Sequence, residues 1–131
     1  MTPVKKILVV DDDPDILEQV CLLLRGAGYE VVSAPGRAEA EELLLLHRPD
    51  LAVLDLMMEE MDSGFVLCHE VKRLYPETPV ILLTGVAAAT GLDLREGATG
   101  ARSWVRADAL LDKPIRPEQL RGEVSRLLEA H

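Results

Sequence analysis

Five polar side chains stand where long apolar runs stop. Asp11 and Asp12 follow Ile7-Leu8-Val9-Val10, Asp55 follows Leu51-Ala52-Val53-Leu54, Thr84 follows Val80-Ile81-Leu82-Leu83, and Lys113 comes just after Ala109-Leu110-Leu111. Each run reads as a strand buried on both faces, which ends where the sheet meets solvent. If the strands are parallel, their carboxyl ends share one edge, the edge where open parallel sheets bind ligands. Three carboxylates brought to one point cannot all stay ionised without a counter-charge. A hard divalent cation such as magnesium, which prefers oxygen ligands and takes one or two protein carboxylates, meets that need. Lys113 adds a fixed positive charge and Thr84 a hydroxyl donor. Carboxylate, divalent ion, lysine and hydroxyl together describe a site for a phosphoryl group, with Asp55 as a nucleophile able to form an acyl phosphate.

The elements between these residues decide whether they can meet. Strands are predicted over Val4–Val10, Tyr29–Ser33, Asp50–Asp55, Val80–Thr84 and Asp108–Lys113. Asp13 suits the N-cap of a first helix and Pro14 its first turn. Ile16, Leu17, Val20, Leu23, Leu24 and Ala27 keep helical spacing on one face, and Gly26 and Gly28 end it. Further helices are predicted over 37–47, 65–75 and from Pro117 onward, with a short one at Thr99–Arg106. The second helix carries four consecutive leucines, Leu43–Leu46, more than one buried stripe can take, so at least one is expected at the surface. The third is predicted to turn Phe65, Cys68, Val71 and Leu74 inward, and the last Leu120, Val124, Leu127 and Leu128. Five strands alternating with helix-length segments favour parallel pairing through right-handed crossovers. The fold class is α/β: a doubly wound, flavodoxin-like five-stranded parallel sheet, order 2-1-3-4-5, with helices on both faces.

Composition narrows the partners. With 131 residues the chain has the length of one domain, and the reading takes 1–131 as a single unit with a core of about 4–130. It is 48% hydrophobic but only 3% aromatic, so its core must be aliphatic. A formal net charge of −9 repels bulk nucleic acid and anionic membranes, so neither is an expected partner. Cys21 and Cys68 sit in helical patterns without the short spacing of a zinc site. They read as small buried hydrophobes in a reducing, cytoplasmic setting. His47 and His69 lie far from the strand ends and are given no role, and Trp104 is taken as a core plug.

The ordered set of motifs resembles the receiver domain of two-component response regulators. The matching pieces are Ile7-Leu8-Val9-Val10-Asp11-Asp12, Leu54-Asp55-Leu56-Met57-Met58, Met61-Asp62, Leu82-Leu83-Thr84-Gly85 and Leu111-Asp112-Lys113-Pro114. None is specific alone, but in this order at successive strand ends they are. The resemblance implies that Asp55 is the phosphoacceptor. Asp11 and Asp12 would hold Mg2+ (or Mn2+ in its place), one directly and one through water. Asp55 would ligate the metal too, and Met57 would add its backbone carbonyl. Thr84 would bind a phosphoryl oxygen, and Lys113 would pair with Asp55 and then with the phosphoryl group. The Lys113–Pro114 bond would be cis. Four features depart from the family pattern. A proline usual near Glu59 is absent, Ser63 is inserted in Asp62-Ser63-Gly64, the Thr84–Lys113 segment is lengthened, and Leu110 stands where an aromatic switch residue is usual. These leave the acceptor chemistry intact but put the usual threonine–aromatic coupling in question.

The function so implied is acceptance of a phosphoryl group from a sensor histidine kinase or phosphotransfer protein, switching a surface for a downstream protein. A homodimer is open. The output would be a protein contact or lie in sequence beyond His131. Two rivals stand beside this reading. A pseudo-receiver would keep the fold without phosphorylation, yet none of the acidic or lysine positions is lost. A haloacid-dehalogenase-type phosphatase would place a second Asp two residues after the nucleophile, where this chain has Met57.

Overall fold

Burial on both faces makes the central strand. In the computed structural model, which describes residues 4–56, 63–84 and 107–130, every residue of the strand Leu51–Asp55 is buried. A run without polar side chains can be covered on both sides only inside a three-layer structure. That is the structure found: a five-stranded parallel sheet in the order β2-β1-β3-β4-β5. The described elements, numbered in chain order, are β1 (Lys6–Val10), α1 (Pro14–Gly26), β2 (Glu30–Ala34), α2 (Arg37–Leu46), β3 (Leu51–Asp55), α3 (Ser63–Leu74), β4 (Val80–Thr84), β5 (Ala109–Asp112) and α4 (Pro117–Ala130).

Alternate strand residues feed two cores. Leu8, Val10, Ala52, Leu54 and Leu82 pack with Ala40 and Leu44 of α2 and with Leu67, Cys68 and Val71 of α3. Ile7, Val9, Val53, Ile81, Leu83 and Leu111 pack on the other face with Val20, Cys21 and Leu24 of α1 and Leu120, Val124 and Leu127 of α4. Both cysteines are free and buried, as expected. Burial raises the Cys21 thiol, against a lowering hydrogen bond from Ser33.

Element ends differ from the expected ones where a local group takes the backbone bond. Val4 is exposed and precedes the ladder, so β1 begins at Lys6. β2 runs Glu30–Ala34 rather than Tyr29–Ser33. The Tyr29 N–H is spent on the Leu24 carbonyl at the end of α1, while the Ala34 carbonyl still accepts from Asp11. Asp50 lies before β3, and its carboxylate accepts the Lys6 N–H at 2.7 Å. α2 stops at Leu46, because His47 is already extended. α3 covers Ser63–Leu74 rather than 65–75, and β5 ends one residue before Lys113. Ala27 is exposed as the cap residue of α1, not part of its buried face. Leu67 is fully buried, whereas Phe65 and Leu74 only flank the core. The predicted helix at Thr99–Arg106, Trp104 and Met57 lie outside the described residues.

The cap of α1 matches expectation. Asp13 accepts from the N–H groups of Asp15 and Ile16, and Pro14 occupies the first turn. Gly28 follows with φ 98°, a conformation that costs glycine little. Leu45 and Leu46 are 76% and 77% exposed, as four leucines in a row require.

Candidate acceptor and cation site

Register puts the site together. Val10 is opposite Leu54 in the β1–β3 pair, so Asp11 and Asp55, one residue further on each strand, become neighbours. Asp55 is opposite Leu83, which sets Thr84 one residue beyond. Thr84 is opposite Asp112, and the Lys113 N–H donates to the Thr84 carbonyl at 2.7 Å. Three ladders therefore deliver all five side chains to one rim.

Carboxylate oxygens of Asp11, Asp12 and Asp55 lie within 4.8 Å of one another. Asp11 and Asp55 are 1% and 3% exposed, while Asp12 is exposed. Asp11 Oδ1 accepts the Asp13 N–H at 2.9 Å, which fixes the carboxylate plane. Its Oδ2 lies 3.2 Å from Lys113 Nζ, yet it is buried and accepts no hydrogen bond. Lys113 Nζ donates to Asp55 Oδ1 at 3.1 Å. One ammonium thus serves two buried carboxylates, with a third close by.

That imbalance shows in the ionisation. Burial and the neighbouring charge of Asp11 push the Asp55 carboxyl up to about 6, against the opposing pull of Lys113. Burial opposes the charge on Lys113, but its bond to Asp55 and the charges of Asp11 and Asp55 prevail and raise it. Among the described residues the donor set is all oxygen, under-compensated in positive charge, and includes a buried carboxylate oxygen with no hydrogen bond. Such a set fits a hard divalent cation.

Thr84 is 5% exposed, and its hydroxyl donates to Asp112 Oδ1 at 3.1 Å. Nothing in the sequence marked that bond, because the two residues are 28 positions apart. Gly64, in the first turn of α3, is a second requirement that carries no signal in the sequence. A Cβ there would lie 2.4 Å from Leu56 Cα and 2.5 Å from the Asp55 carbonyl oxygen. Lys113–Pro114 is cis, as the resemblance implied.

A family profile for the response regulator receiver domain matches residues 7–125. The chain belongs to the response regulator receiver domains. One relative, "Probable transcriptional regulator ycf27" of Cyanophora paradoxa, is 36% identical over 124 residues, covering 95% of this chain and 48% of the relative. This receiver thus spans about half the length of such relatives. A receiver domain from Clostridium thermocellum superposes with a TM-score of 0.82 at 27% identity, covering 97% of this chain and 96% of that one. The BeF3-activated receiver domain of DrrB is 32% identical with a TM-score of 0.77, covering 97% and 99%. The receiver therefore belongs to two-component signalling. No helix among its described residues is long and apolar enough to cross a membrane.

Proposed function

We propose that this receiver accepts a phosphoryl group on Asp55 from a sensor histidine kinase or phosphotransfer protein, with Mg2+ (Mn2+ as a substitute) held by Asp11, Asp12 and Asp55. Met57 would contribute its backbone carbonyl. The observation that carries this is the Asp11–Asp12–Asp55 cluster with Lys113 bridging its two buried members. Bound there, the ion would offset the negative charge that gathers as phosphoryl oxygens approach three carboxylates.

The chain's own groups supply the rest. Asp55 is the nucleophile: a carboxylate oxygen attacks phosphorus as the bond to the donor's imidazole nitrogen breaks, and the imidazole leaves with a solvent proton. The product is an acyl phosphate on Asp55. Lys113 keeps Asp55 ionised and oriented beforehand, then pairs with the phosphoryl oxygens. Asp11, fixed by the Asp13 N–H, faces the reacting centre without swinging away. Thr84 donates its hydroxyl to a phosphoryl oxygen once the group has arrived. The receiver then presents an altered surface, near β4 and β5, to a downstream protein, with 1–131 as one domain.

Incubation with acetyl phosphate and Mg2+, read by intact mass, tests this. One added phosphoryl group, lost in Asp55→Asn and on chelation, is expected. No gain would favour a non-phosphorylated interaction module, and steady turnover of many phosphoesters would favour a phosphatase.

A further inference from the structure

The side chain of Thr84 has one hydroxyl hydrogen, hence one hydrogen bond to give. In this structure it goes to Asp112 Oδ1 at 3.1 Å. The hydroxyl is the donor and the carboxylate oxygen the acceptor. Thr84 is buried and sits opposite Asp112 in the β4–β5 ladder, so the contact is built by register rather than by a chance side-chain excursion. The next residue, Lys113, donates its backbone N–H to the Thr84 carbonyl and its ammonium to Asp55. Thr84, Asp112 and Lys113 are therefore joined in a ring by one side-chain bond, one backbone bond and the chain itself, and Lys113 ties that ring to Asp55.

We propose that Asp112 is a latch on Thr84: it holds the hydroxyl in the unphosphorylated arrangement, and the phosphoryl group on Asp55 must take that hydrogen from it. The inference rests on Asp55 being the acceptor and on Thr84 turning toward the phosphoryl group. Because Asp112, the last residue of β5, is covalently next to Lys113, losing the Thr84 bond and re-aiming the Lys113 ammonium happen on two adjacent residues. The signal thereby reaches β5 directly. This suits a chain in which Leu110, two residues earlier, is aliphatic and packs against the α2–α3 core without a polar group to follow the hydroxyl. Asp112 is a positioning residue: it acts through Thr84.

The latch lowers the affinity of the resting receiver for a phosphoryl mimic by the strength of one hydrogen bond to a carboxylate. For a bond between a buried hydroxyl and an exposed carboxylate, that is about three- to tenfold in affinity. Beryllofluoride titrated calorimetrically into Mg2+-saturated protein measures it. Asp112→Ala is expected to bind about three- to tenfold more tightly than the parent chain. Asp112→Asn keeps an acceptor oxygen and should stay nearer the parent. Combined with Thr84→Ala, the Asp112→Ala gain should shrink to less than about twofold, since no hydroxyl remains to latch. An equal gain with and without Thr84, or an Asn variant that behaves as Ala, would mean that Asp112 acts only as a negative charge and would overturn the latch. So would an unchanged or weaker Asp112→Ala. If neither the parent nor any variant takes beryllofluoride, the acceptor reading itself fails, and the latch fails with it.

Discussion

Asp55 holds its charge against its surroundings. Burial and Asp11 disfavour the carboxylate more than Lys113 favours it, so its proton is lost only near pH 6 instead of near 4. Between pH 4 and 6 the native state binds more protons than the unfolded chain. Without metal, this residue's contribution to stability therefore falls as pH rises through that window and stays low above it. Removing the charge should help: at pH 7.5 with chelator, Asp55→Asn is expected to be more stable than the parent chain by about 1–3 kcal/mol. The difference should vanish at pH 4, where the parent's carboxyl is also neutral. Urea denaturation at the two pH values checks this, and a destabilised Asn variant at pH 7.5 would mean that the Lys113 bond outweighs burial. The raised Lys113 works in the opposite sense. Its contribution is complete below its ordinary value and is lost only in strong alkali.

One substitution separates two kinds of helix position. Gly64 and Gly122 both lie in helices, where alanine is intrinsically better by about 1 kcal/mol. Gly122, on α4, is exposed with nothing within 4 Å of an added Cβ. Gly122→Ala should therefore stabilise by about 0.5–1 kcal/mol. Gly64 starts α3 against the backbone of Asp55 and Leu56, and its N–H donates to the Leu56 carbonyl at 3.0 Å. Backbone atoms at 2.4–2.6 Å cannot yield as a side-chain tip would. Gly64→Ala should cost about 1–3 kcal/mol net of propensity and should slow phosphorylation from acetyl phosphate by shifting Asp55. Equal stability of the two alanine variants in urea would refute the close approach. The contrast also shows what could be read from the chain alone. Runs such as Val80–Leu83 are legible because burial on both faces leaves no polar position. Asp13-Pro14 is legible because a cap is local chemistry. The close approach at Gly64 is not, since its partners Asp55 and Leu56 stand nine and eight positions earlier and only packing brings them near. The salt bridge from buried Lys72 to Asp108 at 2.9 Å, where the same carboxylate oxygen also accepts the Val80 N–H, is equally silent in sequence. So is the Thr84–Asp112 bond. In these last two cases the partners are held by register or packing across 28 or more positions.

The proposed cation site is a property of the folded chain. Asp11 and Asp12 come from the end of β1, Asp55 from β3 and Lys113 from just beyond β5, so the unfolded chain has no equivalent cluster. For the same reason the convergence of these residues is legible in the sequence while their bonding is not. The sequence shows which residue ends each buried run, and parallel pairing in the order 2-1-3-4-5 leaves those ends nowhere else to go. What it could not show is how the charges balance once assembled. Among the described residues Lys113 pairs with two of the three carboxylates, and Asp11 Oδ2 is buried without a hydrogen bond. A ligand that binds only the native state adds RT ln(1 + [L]/Kd) to stability. Mg2+ at ten times its dissociation constant should then stabilise the receiver by about 1.4 kcal/mol. The increment should be small at pH 5, where Asp55 holds its proton, and should grow toward pH 7.5 as that proton leaves without cost. Asp11→Asn should lose most of it at both pH values. Urea unfolding with Mg2+ or chelator, at pH 5 and 7.5, provides the four comparisons. An increment of equal size in Asp11→Asn, or one independent of pH, would place the bound ion on some other part of the acidic surface and leave the buried Asp11 oxygen without a function.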